Sequence, residues 1–243
     1  MRSLLEGKIG VTAYLDRKDR TRSRSIANDW DLAKLPLSYE VNRMNPPRDF
    51  FGKMMGRTRY VVCRLFIHLA GEEVAPLLGV LNRAGRDAID AEGDLQVMGE
   101  GLVEICQSLL EYDTYWQSAV NEGNVFWDEG EAGDEVNYLF TDSAQRYLSE
   151  LDLSNGSFGN EPLSLPVTRN LVVMITVAYV GEVPELETEI SSISTLKAGL
   201  KALINLHYNG SLRAIQIHWS PAQLGEELTS DQLLEHFPEL IPL

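Results

Sequence analysis

Alternating apolar and polar residues predict a first strand at Tyr60–Ala70. One face of this segment is apolar throughout and carries Val61, Cys63, Leu65, Ile67 and Leu69. The other face carries Tyr60, Arg64 and His68 among its residues, so the pattern predicts a half-buried strand with this polar face toward water.

Two further strands are predicted in the C-terminal half of the chain. Residues 171–180 are apolar on both faces, which is typical of a strand covered on each side. Residues 212–219 alternate again, with Gln216 and His218 on the predicted outward face. The two-sided pattern puts residues 171–180 in the middle of a three-stranded sheet.

Apolar residues at three- and four-residue steps predict three helices between the first and second strands. The first helix follows the first strand, the second runs from Leu95 to about Tyr115, and the third carries a stripe from Val136 to Leu151. The acidic residues 128–135 are predicted to form a loop, and the turn-rich residues 154–166 close this three-helix insert.

A helix is also predicted between residues 180 and 212. It starts near Thr195 and ends at the Asn209-Gly210 pair, which suits a left-handed C-terminal cap. Strand, helix and strand at this spacing predict a parallel pair joined by a right-handed crossover. Near the C-terminus, Thr229 and Gln232 have capping-box spacing and predict a short helix that ends at Pro238.

The predicted fold class is therefore α+β, with a small mixed three-stranded sheet, a βαβ crossover and a three-helix insert. Residues 60–243 form this domain, and residues 1–59 form a basic N-terminal arm in which KIGVTAYL could be a short strand. The longest apolar run, residues 171–181, is shorter than the ~20 residues of a membrane-spanning helix. The N-terminus lacks the apolar stretch of a secretory signal, so a cytoplasmic location is expected.

Charge divides the chain into two unlike parts. Residues 1–64 hold 14 of the 21 basic side chains and 7 of the 36 acidic ones, a net charge of +7, and residues 65–243 carry −22. A basic arm on an acidic body suggests contact with an anionic partner, an anionic surface or the body itself.

The densest basic run is the candidate partner-binding segment, and it consists of Arg17, Lys18, Arg20, Arg22 and Arg24. These side chains could bind phosphate groups, but no aromatic residue is interleaved among them, and the acidic body would repel a polyanion. Nucleic acid is therefore not an expected partner. The open alternatives are docking on a protein complex, docking on an anionic membrane surface, and pairing with the chain's own body.

No catalytic, cofactor-binding or metal-binding motif stands out. The four histidines, at positions 68, 207, 218 and 236, each lie singly in a predicted element. The acidic run lacks the alternating ligands of a calcium loop, and the glycine patterns of nucleotide-binding sites and hydrolase elbows are missing. Cys63 and Cys106 form no paired motif and are predicted to be free, buried thiols in a reducing compartment.

The C-terminal half resembles a known family in the segments LVVMITVAY, LRAIQIHWSP and LTSDQLLEHFPELIPL. With the strand YVVCRLFIHLA, these segments are similar to the uncharacterised family called domain of unknown function 1517, over about residues 60–243. The shared features include the Trp219-Ser220-Pro221 step and the Phe237-Pro238 step. The family is typical of cyanobacteria and plastids and usually has an upstream hydrophobic segment, where this chain has its basic arm.

The resemblance implies a setting near photosynthetic membranes and carries over no functional residue. The expected function is that of a non-enzymatic accessory, assembly or scaffold protein without a cofactor, which docks on a larger complex through its basic arm. The alternative is an enzyme whose active site is assembled from scattered residues, with Arg64 and His68 as its most plausible participants.

Overall fold

The central element is an antiparallel sheet, seen in a computed structural model that describes residues 11–14, 56–148, 169–222 and 228–243. Its strands are β1 (Val11–Tyr14), β2 (Tyr60–Ala70), β3 (Trp116–Phe126), β4 (Asn170–Val180), β5 (Leu212–Ser220) and the two-residue β6 (Ile241–Pro242). Their order across the sheet is β1-β5-β4-β2-β3-β6, and every neighbouring pair is antiparallel. The α+β class is thus confirmed, but the sheet is larger than the predicted three strands.

Strand β4 is central, as its two-sided apolar pattern predicts, with β2 on one side and β5 on the other. The predicted parallel crossover between β4 and β5 is wrong. The Val180 N–H donates to the Ser211 carbonyl, so the connection leaves and re-enters the sheet at the same end. After β4, a short helix and an extended segment take the chain back along the sheet, and the next helix returns it to the end that it left. A helix between two strands therefore does not by itself imply that the strands are parallel.

In the described ranges, six helices cover the two faces of the sheet. They are α1 (Ala75–Asp90), α2 (Leu95–Glu111), α3 (Glu129–Leu148), α4 (Pro184–Glu187), α5 (Ile193–Tyr208) and α6 (Ser230–His236), with single 3₁₀ turns at Glu72–Val74 and Asp113–Tyr115. Helices α1, α2, α4 and α5 pack on the first face in the largest apolar cluster. Helix α3 and the residues around α6 pack on the second face in two smaller clusters.

The region predicted as a three-helix insert contains its three helices, but β3 separates the second from the third. The prediction missed β3 because its middle, Asn121–Asn124, combines asparagine, glutamate and glycine, which are uncommon in strands. The acidic run is also helical rather than a loop. Asp128 caps α3 by accepting from the N–H groups of Gly130 and Glu131, and acidic side chains in the first turn suit the positive end of the helix dipole.

The sequence signals that predicted two helix ends are confirmed. Thr229 and Gln232 form a capping box at the start of α6, and Gly210 has a φ of +65° just after α5.

Cys63 and Cys106 are free and buried, and burial raises the pKa of both thiols. Within the described ranges, no helix has the length and apolar character needed to cross a bilayer.

The two polar strand faces that were predicted to face water are instead buried. Arg64 and His68 on β2, and Gln216 and His218 on β5, all lie under the elements that cover the second face. These predictions are wrong because a polar face was equated with solvent, whereas α3 brings polar partners to Arg64 and Gln216, and the neighbouring strands bring them to His68.

Candidate functional site

A row of polar side chains crosses the second face of the sheet. The strand register aligns Arg64 with Glu122 on β3 and with Thr176 on β4, and it aligns Thr176 with Gln216 on β5. Arg64, Thr176 and Gln216 are buried, while Glu122 lies at the rim. Four adjacent strands thus contribute one residue each to a continuous polar row.

Arg64 is the centre of this row because α3 surrounds it with acceptors. Its Nε donates to Glu122 Oε1 at 2.6 Å, and its Nη1 donates to Asp142 Oδ2 at 2.6 Å. The same Nη1 donates to Ser143 Oγ at 2.9 Å and to the Leu139 carbonyl at 3.3 Å. The guanidinium is therefore compensated by two carboxylates and two neutral acceptors, as a buried charge requires.

A second arginine joins this network to the C-terminal segment. Arg146 pairs with Asp142 at 3.2 Å and with Glu239 at 2.6 Å, and it donates to the His236 carbonyl at 2.6 Å. Both guanidinium groups lie over the ring of Phe66, with Arg64 at 4.7 Å and Arg146 at 5.1 Å from its centroid. The network therefore links β2, β3, α3 and α6.

The β5 end of the row is less completely bonded. Gln216 Nε2 donates to the Val136 carbonyl at 3.0 Å, whereas Gln216 Oε1 and Thr176 Oγ1 have no hydrogen-bond partner among the described residues. The ring of His218 lies 5.2 Å from that of Phe140. Burial, assisted by the positive charge of Arg64, lowers the pKa of His218 to about 3, so this imidazole is neutral near pH 7.

His68 has its own set of partners at the other end of β2. Its ring nitrogens lie 3.2 Å from Ser118 Oγ and 3.1 Å from Asn170 Oδ1. Burial lowers its pKa, and the hydrogen bond to Asn170 opposes that change. Phe66 separates His68 from Arg64 along the same face of β2. The two residues considered for an enzyme therefore do not converge on one shared space.

The remaining histidines lie elsewhere. His207 is on α5, on the first face, and His236 ends α6, where its carbonyl accepts from Arg146. No group of three or more metal-binding side chains occurs in the part of the chain that the structure describes. The basic run at positions 17, 18, 20, 22 and 24 lies outside the described residues.

Sequence reasoning missed the partners of Arg64, namely Glu122, Asp142 and Ser143. One signal was present, because Asp142 and Arg146 have the i, i+4 spacing of a helical ion pair. Nothing in the local pattern of α3 indicated that this pair would lie over β2. Which turn of a helix lies over which strand depends on contacts between residues that are far apart in the sequence.

A family model described as "Protein of unknown function (DUF1517)" matches residues 59–243. No curated protein and no solved structure matches the chain. The matched range includes the complete polar row and the helices on both faces of the sheet.

Proposed function

The chain belongs to the DUF1517 family of proteins of unknown function, and from that premise we propose that it is a non-enzymatic accessory or assembly protein that docks through its basic run. The observation that carries this proposal is the charge division of +7 in residues 1–64 against −22 in residues 65–243. An anionic partner surface attracts the first part and repels the second, so docking through the basic run also orients the body.

The attachment of the basic run to the body supports this role. Strand β1 pairs with β5, with Tyr14 opposite Ala214, and Arg17 follows three residues later in the sequence. The cations are thus joined to the sheet edge by a short stretch of chain. A short connection between a binding segment and a rigid body limits the positions that the body can take on a partner.

The contacts of Arg64 and His68 support a structural role for these two residues, which were the candidates for an active site. Arg64 and His68 are bonded to neighbouring side chains beneath covering helices. Catalytic groups need a concave pocket in which polar side chains converge on a substrate. The commitment of these two residues to internal partners therefore weighs against the enzyme alternative.

A large protein complex is the proposed target, and an anionic membrane face, such as that of a photosynthetic membrane, is the second. Each clustered cation near an anionic membrane contributes about 1 kcal/mol. Five such side chains supply a few kcal/mol before ordering costs, which suits reversible peripheral attachment of a cytoplasmic protein.

The test is to replace Arg17, Lys18, Arg20, Arg22 and Arg24 with glutamine. The full-length variant is compared with the unaltered chain for retention on native membranes and on soluble complexes at low and high salt. Loss of retention at low salt with an unchanged melting temperature supports docking. A matched variant that changes the four arginines to lysine keeps the charge and should retain binding.

Unchanged retention of the glutamine variant would refute the docking proposal. A lower melting temperature with unchanged retention would mean instead that the run pairs with the chain's own acidic body.

A further inference from the structure

Among the described residues, the outer edge of β3 is paired over only a small part of its length. Strand β6 pairs with β3 at Ser118 and Ala119, and the Leu243 N–H donates to the Gln117 carbonyl. Pro242 has no N–H, so Ala119 rather than Ser118 makes the backbone hydrogen bonds of β3 to β6. Backbone groups on an antiparallel strand alternate between its two sides, so those of Asn121, Gly123 and Val125 point to the same side as those of Ala119. No described residue makes a backbone hydrogen bond to these three on that side.

This edge lacks three of the devices that protect an exposed strand, namely lysine, proline and a β-bulge. Residues 120–126 contain no lysine and no proline, and their register with β2 runs without a bulge from Ser118 to Phe126. The strand is also held in place. The Asn121 side chain donates to the carbonyls of Leu186 and Thr188 and accepts from the Ile190 N–H. The edge is therefore a preformed template for another strand.

Acidic side chains flank this edge on both faces of the sheet. On the α3 side, Glu131 is exposed, and Glu135, one turn after it, accepts from the Asn124 side chain at 2.9 Å. On the other side, Glu189 is exposed next to Thr188, whose carbonyl accepts from Asn121. A second copy would bring a like-charged edge against this one, which is unfavourable.

We propose that the outer edge of β3 binds an extended, lysine- or arginine-rich segment of another protein by β-strand addition. The three residues Asn121, Gly123 and Val125 supply main-chain hydrogen bonds, and Glu131, Glu135 and Glu189 select for cations on the added strand. This surface is distinct from the basic run, because it attracts cations and is formed by the acidic body.

The first test is amide hydrogen exchange on the full-length chain, with and without a nine-residue peptide that alternates lysine and valine. In the free chain, the amides of Asn121, Gly123 and Val125 should exchange rapidly. With the peptide they should slow by about tenfold or more, because each gains a hydrogen-bond acceptor. A peptide alternating glutamate and valine is the control and should protect them far less.

Three results would overturn the proposal. Protection of these amides in the free chain would mean that another part of the same chain, such as its own basic segment, already covers the edge. Protection by neither peptide would mean that the edge does not accept a strand. Equal protection by both peptides would mean that charge does not select the partner.

A charge-reversal pair tests the flanking glutamates separately. Glu131→Lys with Glu189→Lys should weaken binding of the lysine peptide about tenfold at low ionic strength, and high salt should reduce this difference. The matched control is Glu100→Lys with Glu111→Lys, which changes the net charge by the same amount but on the exposed side of α2. This control should bind the peptide as the unaltered chain does. An equal loss in both variants would show a general charge effect and refute a site at this edge.

Discussion

Replacing Arg64 with methionine should destabilise the fold far more than removing a surface arginine. Arg64 is 3% exposed and donates to Glu122, Asp142, Ser143 and the Leu139 carbonyl. Methionine preserves most of the aliphatic stem, so the space left behind is small. The main cost is that acceptors on β3 and α3 lose their donor.

The magnitude follows from how exposed those acceptors are. Removing one partner of a fully buried ion pair costs about 3–5 kcal/mol. Here the side chains of Asp142 and Glu122 are 30% and 45% exposed, so water can partly solvate both carboxylates in the variant. Ser143 is fully buried and cannot be solvated in this way. We therefore expect a loss of about 2–4 kcal/mol in the free energy of unfolding.

Urea denaturation followed by circular dichroism measures this loss. The matched control is Arg83→Met, since Arg83 pairs with Glu104 across α1 and α2 while 54% and 41% of the two side chains are exposed. The control should lose less than about 0.5 kcal/mol. If Arg64→Met cost no more than Arg83→Met, the polar row would not be a stabilising network and the reasoning would fail.

Two further perturbations test the packing of the two faces. A methyl group on Gly99 would overlap the ring of His207, so Gly99→Ala should cost about 1–3 kcal/mol in urea denaturation, and His207→Ala in the same chain should restore most of it. Gly79→Ala, which meets no atom within 4 Å, is the control and should stabilise helix α1 slightly; equal losses for both glycines would contradict the close α2–α5 approach. The folded-state pKa of His218 is about 3, below its ordinary 6.5, so the unfolded chain binds an extra proton as the pH falls between these values. Stability should fall by up to about 1.4 kcal/mol per pH unit in this window, and His218→Gln should flatten that dependence; an unchanged slope would mean that this imidazole is not buried in its neutral form.

The parts of the fold that could be read from the sequence are those set by local chemistry. The bounds of β2, the capping box at Thr229 and the glycine after α5 all follow from short-range periodicity and from backbone preferences. The central place of β4 also follows, because only a strand covered on both faces is apolar on both.

The errors share a long-range cause. The direction of β5 depends on where α4 and α5 take the chain, and β3 is stabilised by β2 and by the α4 segment rather than by its own strand propensity. The burial of Arg64 depends on α3, which lies 65 or more residues later in the sequence. No pattern within one segment contains this information, and the candidate site was therefore misread as a water-facing surface.

The buried polar row has a consequence for how α3 sits on the sheet. The row divides the second-face core into one cluster near Tyr60 and Val62 and another near Phe66 and Met174. The first cluster contains Ala132, Val136 and Leu139 of α3, and so small an apolar cluster restricts the sliding of a helix only weakly, because dispersion contacts have little direction. The hydrogen bonds of Arg64 to adjacent residues of α3 do have direction, and they select one turn of the helix over β2.

The two proposed binding surfaces belong to opposite edges of the same sheet. The basic run follows β1, at one edge, and the acidic strand-binding surface is on β3, with three strands between them. Neighbouring strands are about 4.8 Å apart, so β1 and β3 are separated by about 20 Å. If both proposals hold, an anionic partner and a cationic segment bind without competing for space, and the rigid sheet fixes the separation of their attachment points. Because the two surfaces attract opposite charges, each also repels the partner of the other, which gives the assembly a single orientation.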